Sequence, residues 1–274
     1  MTKRYLAVGL TSRHMVIPVS EHQDTVGPMA RTVKDAAFIL QAIAGIDPWD
    51  NYTFAIPNGY TPDYVAACNL SALSGMRLGI PRNIINLLSD ETMEPMLNIF
   101  EQTLSIFRGA GATIVENTNF TAAAEYLNST LPTSIVNADF LANLPSYFNS
   151  LAYNPVNITT VAALRDFTQE FSLEEYPDRD TGLFDQALLQ GWNHSDPEFW
   201  PAYQQNLFYS NEGGLLGAFK RHKLDAIILP SNFAPHWAAA VGSPIVSVPL
   251  GEYPPNVTIV KNSRDLIESA PNIP

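Results

Sequence analysis

Apolar residues recur at helical spacing near the start of the chain, directly after a polar turn. Gly27-Pro28 forces a bend, because Gly tolerates positive φ and Pro fixes its own φ at about −65°. Thr32 stands in an N-cap position, Asp35 follows in the capping-box position, and Gly45 marks the end. The apolar positions are Val33, Ala36, Ala37, Ile39, Leu40, Ile43 and Ala44. This pattern predicts one capped surface helix with an ordered entry loop.

A strand, a helix and a second strand come next in the pattern. Residues 76–81 alternate like a short strand, and a helix is predicted from Asp90 or Thr92 to about Phe107. Residues 113–115 form the next predicted strand. Because a strand–helix–strand unit of this length returns the chain in the same direction, the two strands are expected to be parallel in one sheet.

The rest of the pattern is helical in the middle and strand-like near the end. Residues 46–75 are rich in turn formers and predict a long connection with a short helix at 64–67. The apolar runs at 224–230 and 244–250 predict buried strands of a sheet that helices cover on both faces. In and just beyond the segment 119–222, the predicted helices span 122–128, 134–151, 159–171, 183–190 and 197–223. The predicted fold class is α/β with a mostly helical middle segment.

Composition and charge narrow the classes of function. A chain of 274 residues, 46% hydrophobic and 15% charged, is globular and long enough for one large domain or two small ones. Its net charge of −12 argues against binding nucleic acid or an anionic membrane surface, because both need a basic patch. Cys68 is the only cysteine, which excludes an internal disulfide and a thiolate metal cluster. No apolar run approaches the ~20 residues of a membrane span.

Sequons for N-glycosylation are unusually frequent. The chain has seven N-x-S/T sequons, more than double the roughly three that its composition would give by chance. They lie at Asn51, Asn69, Asn119, Asn128, Asn157, Asn193 and Asn256. This excess favours descent from a secreted glycoprotein, with chance in an Asn-rich chain as the alternative. The first ten residues are too weakly apolar for a signal peptide, so the compartment stays unassigned.

Few motifs carry chemistry. The five histidines, at positions 14, 22, 194, 222 and 236, lack i, i+4 spacing, and the sequence has no metalloprotease, nucleophile-elbow, dinucleotide or phosphate-loop motif. No metal and no cofactor is predicted. Ser231, Asn232 and His236 follow the predicted strand at 224–230, where open α/β sheets bind ligands. An ordinary loop is the alternative for these three residues.

Several segments, in a fixed order, resemble a known family. The longest read GLTSRHMVIP at 9–18 and QDTVGPMARTVKDAA at 23–37. Further matches are LGIPR at 78–82, NITTV at 157–161, LDAIILP at 224–230 and GSPIVSVPLG at 242–251. Together they strongly resemble the amidase signature family. The combination of PLGEYPP at 249–255 and APNIP at 270–274 is similar to its fungal branch.

The resemblance implies a large mixed sheet sandwiched by helices, present here as one incomplete domain over residues 1–274. It implies hydrolysis of carboxamide C–N bonds by a Lys–cis-Ser–Ser triad, without a cofactor. In the family the triad residues precede the segment that 9–37 matches, and this sequence has no Gly/Ser-rich signature run. The chain is therefore expected to lack that catalytic region and the family's C-terminal end, no catalytic residue is assigned, and it is expected to be inactive as written.

The resemblance implies that this chain contributes part of the wall of the substrate pocket. Asp24 and Thr25 lie in the matching loop, and Ser231 and Asn232 match the loop that faces the substrate pocket in relatives. The implied partner is a small-molecule amide, with self-association through exposed sheet edges and no nucleic acid or membrane. Three hypotheses remain open: an amidase whose sequence is incomplete, a truncated non-catalytic paralogue that acts as a binding or scaffold protein, and an unrelated α/β ligand binder.

Overall fold

Three short parallel strands form the central sheet. The computed structural model describes residues 8–69, 71–230, 233–262 and 265–273. Strand β1 (Arg77–Ile80) pairs with β2 (Thr113–Glu116) on one side and with β3 (Ala226–Ile227) on the other. The predicted strand–helix–strand unit is confirmed, because both pairings are parallel and a long helix, Glu94–Gly109, lies between β1 and β2.

Helices dominate the secondary structure of the described residues. Their bounds are α1 Val33–Ile43, α2 Tyr64–Ala67, α3 Arg82–Leu88, α4 Glu94–Gly109, α5 Ala123–Leu127, α6 Leu131–Ser150, α7 Val161–Glu170, α8 Gly182–Gln190, α9 Phe199–Ser210, α10 Leu215–His222 and α11 Pro235–Ala240. The helices predicted at α2 and at α5 to α8 are confirmed within three residues at each end. Helices α3 and α11 were not predicted. In the described residues no helix is long and apolar enough to cross a membrane.

The segment 197–223, predicted as one helix, forms two. Helices α9 and α10 are separated by a tight turn at Gly213-Gly214. A Cβ on Gly213 would lie 2.5 Å from the Cβ of Ala122, and one on Gly214 would lie 2.6 Å from the Ser210 carbonyl oxygen. The turn also packs on the start of α5, where the Ala122 amide donates to the Gly213 carbonyl (2.9 Å). Close backbone approach therefore requires glycine here.

The apolar run at 244–250 is a correction to the sequence-based expectation. It was predicted to be a buried strand, but it has no regular secondary structure and its apolar side chains are exposed, from 40% at Leu250 to 74% at Val246. No strand among the described residues pairs with it. A strand needs a partner to satisfy its backbone groups, and hydrophobic side chains alone do not supply one. The antiparallel pair β4 (Val260–Lys261) and β5 (Ile267–Ser269) lies in a separate sheet.

The main core packs the sheet against helices α4, α5 and α11. Its fully buried members include Ile80, Phe100, Leu104, Phe120 and Trp237. A second cluster packs α6 against α9 through Ile135, Ala138 and Phe199. Because Ala138 directly precedes Asp139 on α6, this second cluster also positions the buried Asp139 carboxylate.

Helix α1 confirms the predicted cap and leaves an apolar face uncovered. The Thr32 hydroxyl accepts from the Asp35 amide (3.1 Å) and donates to its carboxylate (2.8 Å). The helix ends where Ala44 takes an extended conformation, one residue before the predicted Gly45. Only Ala37 of α1 is buried, although its spacing is amphipathic. The exposed apolar side chains on it are Val33, Phe38, Ile39 and Ile43.

Candidate functional site

Asp24, a predicted pocket residue, holds the loop at 18–24 in a closed turn. Its carboxylate oxygen Oδ2 accepts from the amides of Val19 (2.8 Å) and Ser20 (3.0 Å). The Asp24 amide in turn donates to the Ser20 carbonyl (2.8 Å). These three bonds satisfy backbone groups that no helix or strand would satisfy. The connection between the two longest segments that resemble the amidase signature family is thus a self-bonded loop of defined shape.

An ion pair between Arg13 and Asp50 fixes the other side of this loop. The Arg13 guanidinium binds both Asp50 oxygens (3.0 and 3.1 Å), and the Arg13 amide donates to the same carboxylate (2.9 Å). The guanidinium also donates to the Glu21 carbonyl (2.6 Å) and lies over the Tyr52 ring at 4.3 Å. This geometry is the bidentate one in which arginine binds carboxylates most specifically.

The Arg13–Asp50 pair is electrostatically favourable in the folded protein. Burial raises the pKa of Asp50, but the hydrogen bonds and charge of Arg13 outweigh burial, so the pKa lies below its ordinary value. Because folding lowers this pKa, the stabilisation is present above the carboxyl pKa of the unfolded chain. It is lost as the pH falls through the folded-state value.

A second polar group, the Asp139 cluster, joins three separate segments. It consists of Ser20, Glu21, His22, Asp139 and His194. Asp139 is completely buried, and its Oδ2 accepts from the Ser20 hydroxyl (2.5 Å) and contacts His22 Nδ1 (2.8 Å). Its Oδ1 contacts His194 Nδ1 (3.4 Å), which also contacts Glu21 Oε1 (2.9 Å). The loop at 20–22, helix α6 and the loop before α9 therefore meet at one carboxylate.

Aromatic rings from α9 shield one side of the Asp139 cluster. His22 lies 4.6 Å from the Tyr203 ring and 5.5 Å from that of Phe199, and the two aromatic rings stack on each other at 5.4 Å. Low-polarity surroundings of this kind strengthen hydrogen bonds and ion contacts within the cluster.

The two acidic groups of the cluster shift the pKa values of their neighbours. Burial lowers the pKa of His22, but the hydrogen bond and charge of Asp139, with a contribution from Glu21, raise it above its ordinary value. Burial raises the pKa of Tyr52 to about 12, and the Glu21 charge adds to this effect. Burial and the Asp139 charge raise the pKa of Tyr203. The local potential is therefore negative.

An open cavity of about 250 Å³ lies beside both features. Its lining combines the loop at 18–24, the Arg13–Asp50 pair and one face of α6, and comprises Arg13, His14, Val16, Pro18, Glu21, Asp24, Trp49, Asp50, Asn143, Ser146 and Tyr147. The rings of His14 and Trp49 stack at 5.5 Å on its wall. Its lining offers both hydrogen-bond donors and acceptors, which suits a small polar ligand.

The predicted site residues lie in different parts of the structure. Asp24 lines the cavity, and Thr25 follows it on the exposed part of the loop. Ser231 and Asn232 lie outside the described residues. His236 lies on α11, where its carbonyl accepts from the Tyr126 hydroxyl (3.0 Å).

Sequence reasoning missed the Asp139 cluster. Ser20 and His22 lie 119 and 117 residues from Asp139 along the chain, so no local spacing could reveal the contact. Among the described residues, Glu21, Asp139 and His194 also bring two carboxylate oxygens and a ring nitrogen within 4.8 Å of one another, a spacing at which three such groups can share a metal ion. The absence of a metal motif in the sequence had pointed away from such a group.

The Arg13–Asp50 pair provides a test of how the loop is held. We expect Arg13→Ala to lower the free energy of unfolding by about 3–5 kcal/mol, because it leaves a buried carboxylate without its partner. Arg165→Ala is the matched control, since Arg165 pairs with the exposed Asp166 and should cost at most ~1 kcal/mol. Urea denaturation at neutral pH measures both. Equal losses in the two variants would contradict a special role for Arg13.

Similar proteins fall in one family. The chain is 54% identical over 267 residues to a protein of Arthroderma benhamiae named "Putative amidase", covering 97% of this chain and 45% of that protein. A peptide amidase structure from Stenotrophomonas maltophilia superposes with a TM-score of 0.72 at 29% identity, over 86% of this chain and 48% of that one. The chain thus spans about half the length of the relatives it matches.

A more distant structure shows the fold alone. An amidase family protein from Bacillus anthracis superposes with a TM-score of 0.69 at 22% identity, over 86% of this chain and 44% of that one. The α/β class predicted from the sequence is confirmed by these superpositions. The model of the family described as Amidase matches residues 7–272, nearly the whole chain. The chain belongs to the amidase family.

Proposed function

We propose that this chain forms the substrate-facing wall of an enzyme that hydrolyses carboxamide C–N bonds. The observation that carries the proposal is the loop at 18–24, which joins the two family-like segments 9–18 and 23–37 and is held by Asp24 and Arg13 at the mouth of a polar cavity. A rigid loop can hold an amide in a fixed orientation. This matters because the hydrolysis rate falls steeply when the bound substrate is misplaced. The similarity to a peptide amidase supports an amide as the substrate class.

The chain's own residues would bind and orient the substrate without attacking it. The family resemblance assigns nucleophilic attack to a Lys–cis-Ser–Ser triad, and the 274 residues contain no Gly/Ser-rich signature run. We therefore propose that the chain by itself has negligible amidase activity. Asp24 and Thr25, together with Ser231 and Asn232, stay the proposed pocket residues. The non-catalytic binding or scaffold role remains the alternative.

Exposed apolar surface supports an extension of this proposal. Residues 244–250 and helix α1 carry apolar side chains of the kind usually buried in a core, and several of these side chains are exposed to solvent. Large exposed apolar side chains favour association when they cluster into a patch. This surface supports two predictions. The chain self-associates, and residues 1–274 act as a single incomplete domain.

A hybrid enzyme tests the proposed function. The 267 aligned residues of the Arthroderma benhamiae relative are replaced by this chain, and release of ammonia or amine is measured on amides that the intact relative hydrolyses. We expect the hybrid to hydrolyse them and to be inhibited by a serine-directed sulfonyl fluoride. The chain alone should show no turnover, because its sequence has no Gly/Ser-rich signature run to supply the nucleophile.

Two outcomes of this experiment would contradict the proposal. Turnover by the isolated chain that responds to the sulfonyl fluoride would show that it contains its own nucleophile. A folded hybrid that is inert would show that this chain does not supply a working substrate wall. Asp24→Ala in the hybrid should reduce kcat/KM, whereas Asp178→Ala, at an exposed position, should not.

We also propose that the chain is N-glycosylated when it passes through a secretory pathway. Six of the seven sequon asparagines are exposed, and Asn193 is partly buried. Expression behind a yeast secretion leader should give a product whose mass falls on endoglycosidase treatment. Asn256→Gln should remove one glycan, because Asn256 lies in an exposed irregular segment, and Asn211→Gln, at a position without a sequon, should remove none. A secreted product with unchanged mass would contradict the proposal.

A further inference from the structure

Two carboxylates and an imidazole converge at the edge of the cavity. One oxygen each of Glu21 and Asp139 and one ring nitrogen of His194 lie within 4.8 Å of one another. They come from the loop at 18–24 (called the motif loop because it joins the two family-like segments), from α6 and from the loop before α9, so the fold itself assembles them. None of these three residues is among the four proposed above to face the amide substrate, although Glu21 lies in the same loop.

The spacing of these atoms matches the coordination of a small divalent cation. Zinc bonds to histidine nitrogen and carboxylate oxygen are about 2.0–2.2 Å, which places neighbouring tetrahedral ligands roughly 3.3–3.5 Å apart. His194 Nδ1 lies 2.9 Å from Glu21 Oε1 and 3.4 Å from Asp139 Oδ1. These two distances lie within about half an ångström of that spacing, and the third, between the two carboxylate oxygens, is within 4.8 Å. Three protein ligands would leave a fourth position open to water.

The surrounding contacts orient the buried carboxylate toward that position. The Ser20 hydroxyl and His22 Nδ1 both contact Asp139 through Oδ2. This leaves Oδ1 directed at His194. Hydrogen bonds of this kind, from groups that do not themselves touch the ion, are what hold ligands in place at metal sites.

The charge of the region favours a cation. Asp139 is 0% exposed and Glu21 contributes a second carboxylate beside it, while the guanidinium of Arg13 is engaged by Asp50. Buried charge is costly unless an opposite charge compensates for it. Protonated histidine can compensate in part, and a divalent cation would neutralise both carboxylates at once.

We propose that Glu21, Asp139 and His194 form a binding site for a divalent transition-metal cation of the zinc type. One imidazole and two carboxylates are the hard-to-borderline donor set that such ions accept. The ion would tie the motif loop to α6 and to the loop before α9. Because Glu21 also lines the cavity, occupancy of the site would stiffen one wall of the proposed substrate pocket.

Zinc titration of the metal-stripped, tag-free 274-residue chain tests the proposal. Isothermal calorimetry at pH 7.5 should give one site per chain. We expect His194→Gln and Glu21→Gln each to weaken binding at least ~10-fold, and Ser20→Ala to weaken it ~10-fold or more by loosening Asp139. His236→Gln, at an exposed histidine on α11, is the matched control and should change nothing.

Thermal unfolding separates metal binding from misfolding of a variant. Zinc should raise the Tm of the unmodified chain and of His236→Gln, and should leave that of His194→Gln unchanged. Glu21→Gln is the safeguard against a folding defect, because the Glu21 side chain is 37% exposed. Absence of one-site binding, or equal binding by the Glu21, His194 and His236 variants, would overturn the proposal. Hydrogen bonds and ion contacts alone would then hold the cluster together.

Discussion

The geometry of the candidate site depends on a single buried carboxylate. Asp139 has no exposed surface, yet it lies where the motif loop, helix α6 and the loop before α9 meet. A carboxylate in such a place is tolerated only with several donors, and Ser20, His22 and His194 provide the contacts. The cost of burial therefore enforces a specific arrangement, because any slippage of one segment would leave the charge without its partners.

Other polar contacts hold the rest of the motif loop. Ser20 and Glu21 are held at one end by the Asp139 cluster, and Asp24 closes the loop upon itself through two backbone amides. Arg13, paired with Asp50, binds the Glu21 carbonyl from the other side. The loop is thus fixed by polar bonds, whereas the sheet is fixed by hydrophobic packing.

Local patterns in the sequence predicted what local physics determines. The cap at Thr32 was predicted because neighbouring residues decide it. The parallel pairing of β1 with β2 was predicted because the helix between them returns the chain in the same direction. Helix α3 was missed because Pro81 was interpreted as an end, although Pro is tolerated where a helix begins. Residues 244–250 were wrongly predicted as a strand, since pairing depends on a partner elsewhere. Asp24 was found through the family motif, and Asp139 carries no local signal.

Hydrogen exchange at the motif loop is the most direct test of the anchor. In metal-free protein, Asp139→Asn should speed exchange of the Ser20 and Asp24 amides by ~10-fold or more, because bonds to a charged group contribute about 1.5–3 kcal/mol. The amides of β1 should keep their protection, and Asp166→Asn, at an exposed carboxylate, should leave the loop unchanged. Equal loop protection in Asp139→Asn and the unmodified chain would contradict the account.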